Sequence, residues 1–125
     1  MHQRTHEKTL IAIIRDHVED WRRENGWSRE TVADQIVQAH ERIGGPRLTD
    51  IVFDPPTRDT FERMRVNADR IFRWLDDATK GKNLLPPNFI WSILAALPIE
   101  RRIHLADDLL HPVGLAVRGE TEDQE

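Results

Sequence analysis

The sequence predicts an all-α domain of five short helices. Apolar residues recur at helical spacing in several segments, Gly and Pro separate these segments, and no two alternating segments predict a β-hairpin. The chain has 125 residues, enough for one domain that buries roughly two thirds of its unfolded-chain surface. We therefore expect one helical domain over residues 1–112, followed by a mobile acidic tail over residues 113–125.

Two amphipathic helices are predicted in the N-terminal third of the chain. Apolar residues at helical spacing span residues 7–24, and a glycine follows. Ser28 is a favourable N-cap for a second helix, because its hydroxyl can accept a hydrogen bond from an N–H of the first turn. The second helix is expected to reach Arg42, where Gly44-Gly45-Pro46 ends it, and residues 46–56 are expected to form a loop.

Three further helices are predicted in the C-terminal half. The third covers residues 57–77, with Thr57 or Asp59 as its N-cap. The fourth covers residues 86–97 and the fifth residues 98–112, and each opens at a proline, which suits the first turn of a helix. These short helices carry no continuous heptad pattern, so a coiled coil is not expected.

The third predicted helix carries more polar side chains than covering a core requires. Its apolar stripe, within about 60° of one direction at 100° per residue, consists of Phe61, Met64, Ala68, Ile71, Phe72 and Leu75. All of these except Phe72 are expected to face the first, second and fourth helices. The rest of the surface carries Arg63, Asn67, Arg70 and Arg73. A solvated face with intrahelical ion pairs, such as Asp69 with Arg73, is the alternative interpretation.

Two tryptophans and two histidines are expected to lie in the core or at its boundary. Trp21 and Trp91 are predicted to pack in the core or at its boundary. Trp74 lies to one side of the apolar stripe and is expected to close over the fourth helix, with its indole N–H near solvent. His17 and His40 fall near apolar faces and are expected to be hydrogen-bonded residues of the core or its boundary.

The order of the predicted helices favours a five-helix, lambda-repressor-like or POU-type helix-turn-helix domain. In such proteins the second helix of the pair lies in the major groove of DNA. An arginine can bridge O6 and N7 of guanine there, and an asparagine can bridge N6 and N7 of adenine. The connector from Gly44 to Pro56 is much longer than the usual turn, so helix order alone is a weak signal of this fold.

Charge and composition narrow the possible partners. The net charge of −4 argues against nucleic acid, but residues 58–82 carry seven basic and five acidic residues, whereas residues 113–125 carry one basic and four acidic residues. No apolar run approaches the roughly 20 residues that span a bilayer, and the N-terminus lacks the pattern of a secretory signal. We expect a cytoplasmic protein without a membrane partner.

No catalytic, metal or cofactor site is predicted. The chain has no cysteine, which excludes disulfides and thiolate zinc sites. His2 and His6 have the spacing of ligands on one helix face, but no third ligand accompanies them. Motifs of nucleophilic elbows, phosphate loops and zinc proteases do not occur. A protein that is not an enzyme is therefore expected.

Three stretches between Asn67 and Leu105 form a more specific pattern of aromatic, Leu and Pro positions: IFRWLDD, ATKGKN and LLPPNFIWSILAALPIERRIHL. This pattern resembles the YdaT family of prophage proteins, and looser similarity extends through the N-terminal helices and the connector. The resemblance implies a POU-type helix-turn-helix, a role similar to that of the phage CII activators, and toxicity to the host on overproduction. It makes the third predicted helix the recognition helix.

Two functions are predicted from the residues and the resemblance together. The first is a prophage-encoded, sequence-specific regulator of transcription that binds double-stranded DNA. Asn67 and Arg70 would then lie near base edges, and Arg63 and Arg73 would meet phosphates. Arg70→Ala and Arg73→Ala are expected to leave thermal stability nearly intact. The second is a toxin-like inhibitory protein that binds a host protein through the apolar surface of the fourth and fifth helices.

Self-association is expected to be weak or dimeric. Members of the family that the sequence resembles continue into a long C-terminal helix that assembles tetramers. Here Pro112, Gly114 and Gly119 interrupt the corresponding segment. A homodimer supported by Trp91 and the fourth helix is expected instead.

Overall fold

Six α-helices make up the part of the chain that the computed structural model describes, which is residues 7–53, 59–79 and 82–119. They are α1 (Leu10–Glu24), α2 (Arg29–Arg42), α3 (Gly45–Thr49), α4 (Thr60–Trp74), α5 (Ile90–Ala96) and α6 (Ile99–Leu110). Two 3₁₀ turns, Pro87–Phe89 and His111–Val113, precede α5 and follow α6. These described segments contain no strand, so the predicted all-α class is confirmed.

The predicted helices correspond to α1, α2, α4, α5 and α6, and two predicted N-caps are observed. The N–H of Thr31 donates to Ser28 Oγ at 3.1 Å, and the N–H of Glu62 donates to Asp59 Oδ2 at 3.1 Å. Each bond satisfies a donor that the first helical turn leaves without an intrahelical partner. The alternative cap Thr57 lies outside the described residues.

The prediction of a loop over residues 46–56 is wrong for its first part, where α3 forms. Gly44, with a left-handed φ of 74°, ends α2 and turns the chain, and Pro46 fits the first turn of α3 because its missing N–H needs no partner there. Asp50 then closes α3 with a left-handed φ of 62°. Residues 51–53 form no strand, and residues 54–56 lie outside the described part.

Helix α2 is the centre of the fold. It packs against both α4 and α5, whereas α1 packs mainly against α6. Most of the buried side chains of the core come from these helices and from the segment after α3: Ile14, Val18, Trp21, Val32, Ala33, Ile36, Val37, Ile51, Phe53, Ala68, Ile71, Trp74, Leu75, Leu85, Phe89, Ile93, Leu97 and Leu105. Trp21 is among them, as predicted.

Trp91 is the exception among the predicted core tryptophans. Its side chain is 63% exposed, so the predicted packing is wrong for this residue. The reason is its position on α5, because a helix on the surface of a domain buries only the side that packs on the core. That side carries Ile93, and with Phe89 and Leu97 it is directed into the core, which leaves Trp91 in solvent.

His40 fixes the segment after α3 to the core. The imidazole is fully buried, with Nε2 2.8 Å from the carbonyl oxygen of Ile51 and Nδ1 2.7 Å from Ser92 Oγ. Because a carbonyl oxygen can only accept, Nε2 carries a proton and donates to Ile51, and Nδ1 shares the second hydrogen bond with the serine hydroxyl. A Cβ at Gly45 would lie 2.1 Å from Nδ1, so only glycine fits this close approach.

Residues 113–119 lie along α6. Gly114 has a left-handed φ of 85° and reverses the chain, and the N–H of Val117 donates to Asp107 Oδ1 at 2.8 Å. A Cβ at Gly119 would lie 2.6 Å from Cδ1 of Ile103, which shows how closely this segment packs. The acidic residues 120–125 lie outside the described residues, so the mobility of the tail stays a prediction. None of the described helices has the length and apolar character that crossing a membrane requires.

Candidate nucleic-acid interface

The buried side of α4 differs from the predicted one. Asn67 and Trp74 face the core with Ala68 and Ile71, whereas Phe61 is 86% exposed. At 100° per residue, the buried stripe is rotated by about 50° from the stripe expected from apolar residues alone. The predicted inward positions of Ala68 and Ile71 are confirmed, and that of Phe61 is wrong.

The burial of Trp74 accounts for this rotation. Its ring is 5.1 Å from that of Phe89 and 6.1 Å from that of Phe53, both in edge-on arrangements. The contact with Phe89, just before α5, agrees with the expected closure over the fourth predicted helix. Trp74 has the largest apolar side chain of α4, so its burial favours the orientation in which its side of the helix turns inward. Asn67, two turns earlier, is carried inward with it.

Asn67 is therefore not at the surface position predicted for a base contact. Its side chain is only 2% exposed, between the helices of the core. The periodicity of apolar residues assigned Asn67 to the surface because its carboxamide is polar. In this fold Asn67 belongs to the core side of α4, and the prediction of an exposed Asn67 is wrong.

Arg70 holds the connector against α4. Its Nη1 donates to the carbonyl oxygen of Val52 at 2.5 Å. The guanidinium also lies over two aromatic rings, 4.8 Å from the centre of Phe53 and 5.0 Å from that of Trp74. A guanidinium in this position is engaged on both its edge and its face. Arg70 thus has a structural role that its place in the sequence did not indicate.

The other two predicted arginines differ in exposure. Arg63 has a side chain that is 17% exposed and lies 3.6 Å from Asp34 of α2, so it links the two helices. Arg73 is exposed in the last turn of α4. Of the four residues predicted to contact DNA, Arg73 is thus the one whose side chain is on the exposed surface. The DNA contacts themselves stay predictions.

The outer surface of α4 presents a row of charged side chains at spacings of three and four residues: Glu62, Arg65, Asp69 and Arg73. Arg65 Nη2 is 2.8 Å from Glu62 Oε2, and both side chains are about half exposed. Arg65 was missed as a candidate because the apolar stripe was placed too close to it. The exposed mixed-charge face that the sequence predicted for this helix is therefore limited to these four residues.

A groove of about 330 Å³ separates the beginning of α2 from the beginning of α4. Its lining residues are Ser28, Glu30, Thr31, Phe61, Glu62, Met64 and Arg65. Arg29, in the first turn of α2, is directed elsewhere, because its guanidinium lies 4.7 Å from the ring of Phe72 in the last turn of α4 and 3.2 Å from Glu19 Oε2 of α1. The groove therefore lies between the beginnings of α2 and α4.

Negative charge is concentrated between α1 and α6. Two grooves of about 690 and 340 Å³ share His17 and Asp20, and their walls carry six carboxylates and two cations: Glu7, Asp16, Asp20, Glu24, Glu100 and Asp108, with Lys8 and Arg101. Arg15 and Arg23 also pair with Asp16 and Asp20, at 3.7 and 3.6 Å, so this side has six carboxylates and four Lys or Arg side chains. The outer row of α4 has two of each, so the α1–α6 side is the less favourable of the two for a polyanion. No described set of side chains is arranged to hold a metal ion.

The described residues form an all-α domain in which the central helix α2 packs against α4. The segment that precedes α4 is fixed by His40 and Arg70, which bond to the carbonyl oxygens of Ile51 and Val52. A family comparison identifies this domain. The family described as "Bacterial toxin ydaT" matches residues 13–123. The chain belongs to that family, which confirms the resemblance seen in the sequence. Neither a curated protein nor a solved structure matches the chain.

Proposed function

We propose that the protein is a prophage-encoded, cytoplasmic regulator of transcription that binds double-stranded DNA with α4 in the major groove. The observation that supports the proposal is the placement of α4. Its inner side packs on α2, while its outer side presents the row from Glu62 to Arg73 to solvent over the length of the helix. A helix that crosses a supporting helix and remains open on its outer side has the arrangement of a recognition helix.

The chemistry of the row suits base edges better than phosphates. Arg65 can donate two hydrogen bonds to guanine, and the carboxylates of Glu62 and Asp69 can accept from the amino group of cytosine. Two carboxylates in the row would repel a phosphate backbone, so sequence-dependent contacts must contribute much of the affinity. Arg73, at the end of the row, is the candidate for a phosphate contact.

Substitution of the two exposed arginines tests the proposal. Arg65→Ala is expected to cost about 1–3 kcal/mol at a duplex selected from a random library and to relax the preference at one position. Arg73→Ala is expected to weaken all duplexes alike and to lower the salt slope by about one counterion. Fluorescence anisotropy with selected and scrambled duplexes at two salt concentrations measures both effects.

Arg118→Ala is the matched control, because it removes an exposed arginine from the segment along α6. Its binding should equal that of the wild type except for a small uniform change from net charge. The proposal is wrong if the folded wild-type protein enriches no sequence and binds no duplex at low salt.

A second candidate function, inhibition of a host protein, is favoured by the exposure of Trp91. Ile99, at the start of α6, is also 57% exposed, so two large apolar side chains of the α5–α6 region are in solvent. Tryptophan is enriched among the residues that carry the energy of protein interfaces. The family description as a toxin agrees with this function as well as with a misplaced regulator.

Growth assays separate the two candidates. If inhibition uses a protein interface, Trp91→Ser should relieve the growth defect on overproduction while duplex binding stays unchanged, because the residue lies on α5 and not on α4. Arg65→Ala should then leave the growth defect intact. If growth inhibition is instead lost with duplex binding in Arg65→Ala and kept with duplex binding in Trp91→Ser, the second candidate function is excluded.

A further inference from the structure

Phe61 has the most exposed large apolar side chain of the described residues, and this side chain does not pack in the core. It is 86% exposed, compared with 70% for Val113, the next in order. It lies in the first turn of α4, immediately after the capping turn at Asp59, and it lines the groove between α2 and α4. An aromatic ring in this position gains free energy only when something covers it.

The ring of Phe61 is next to a positioned cation. Arg65 lies one turn further along the same side of α4, and both residues line the groove. Glu62 holds the guanidinium in that area at 2.8 Å. The surface thus combines an apolar ring without donors or acceptors and a fork of N–H donors about 6 Å further along the helix axis.

A thymine and a guanine about two base pairs apart would complement this combination. The C5-methyl of thymine is the apolar group of the major groove, and phenylalanine is among the side chains that contact it. Guanine presents the O6 and N7 acceptors that fit an arginine. At 3.4 Å per base pair, a separation of about 6 Å corresponds to roughly two steps along the duplex.

We propose that Phe61 packs on a thymine C5-methyl and that Arg65 binds a guanine within about two base pairs of it. The inference rests on the proposed function, since it names the bases that the beginning of α4 reads. It differs from the sequence-based expectation, which assigned base contacts to Asn67 and Arg70. Both of those side chains are engaged within the fold, whereas Phe61 and Arg65 are exposed.

Removal of a single methyl group from the DNA tests the inference. Duplexes are first selected from a random library with the full chain, and each thymine of the selected site is then replaced by deoxyuridine, which keeps the base pair. The wild type should lose about three- to fivefold in affinity at one thymine, as expected for one buried methyl group. Phe61→Ala should bind the thymine and uracil duplexes equally, so the two losses should not add.

Val113→Ala is the matched control, because it truncates another exposed apolar side chain and should keep the full uracil penalty. Circular dichroism should show Phe61→Ala folded, since the side chain is outside the core. If the wild type selects a sequence but tolerates uracil at every position, the inference is wrong and the proposed function stands. If Phe61→Ala abolishes growth inhibition without altering any duplex affinity, Phe61 contacts a protein, and the inference is again wrong. If no duplex is selected at all, the proposed function fails first.

Discussion

Replacing His40 with alanine is expected to lower the free energy of unfolding by at least about 4 kcal/mol. The substitution empties a fully buried site and leaves Ser92 Oγ and the carbonyl oxygen of Ile51 without their partner. Truncation of a large buried side chain costs about 2–5 kcal/mol, and each buried polar group left unsatisfied adds about 1–3 kcal/mol. Since domains of this size are stable by about 5–15 kcal/mol, the variant should be close to unfolding. Urea denaturation followed by circular dichroism measures the loss.

His104→Ala is the control, because His104 is exposed on α6, and it should change stability by less than about 0.5 kcal/mol. If the His40 variant cannot be purified folded, Ser92→Ala provides the same test, since it removes only the hydroxyl that bonds to Nδ1. That change should cost about 1–2 kcal/mol. Equal stability of the His40 and His104 variants would show that the imidazole does not anchor the connector.

Replacing Arg70 with alanine is expected to cost about 2 kcal/mol of stability. The change removes a charged donor from the carbonyl oxygen of Val52, an interaction worth about 1.5–3 kcal/mol. It also removes the cation from the rings of Phe53 and Trp74, worth about 0.5–1 kcal/mol at a partly exposed site. Part of this sum is offset because the alanine variant no longer orders a long side chain. Thermal unfolding should show the effect as a lower Tm.

Two further variants separate a structural role of Arg70 from a surface role. Arg73→Ala, one turn on and exposed, should change stability by less than about 0.5 kcal/mol. Arg70→Lys should recover less than half of the loss, because an ammonium cannot stack on two rings while it donates in the plane of a fork. If Arg70→Ala keeps full stability but loses duplex affinity as Arg65→Ala does, Arg70 is the base contact that the sequence first indicated.

Local signals predicted the helices well. Ser28 and Asp59 cap the helices that they were expected to cap, because capping depends on one side chain and the next three residues. The family was also evident from the stretch around IFRWLDD. These features depend on residues that are close in the sequence, so one sequence is enough to predict them.

The orientation of α4 could not be predicted in the same way. Trp74 and Asn67 turn inward because of partners in distant segments, such as Phe89, and Phe61 turns outward in consequence. His40 reaches the connector 11 residues away and α5 52 residues away. Such contacts have no periodicity, so apolar patterning put an asparagine outside and a phenylalanine inside. All four predicted DNA contacts were assigned from that pattern, and only that of Arg73 involves a side chain on the exposed surface.

The carboxylates between α1 and α6 make that side of the described residues more negative than the outer row of α4. At physiological salt, fields are screened over about 8 Å, so a duplex responds to the nearest face and hardly to the total charge. If the protein binds DNA as proposed, the more negative α1–α6 side should be disfavoured at the duplex and the outer side of α4 favoured. Because the outer row of α4 carries no net charge, we expect the rate of association to depend on salt less steeply than for a basic DNA-binding protein.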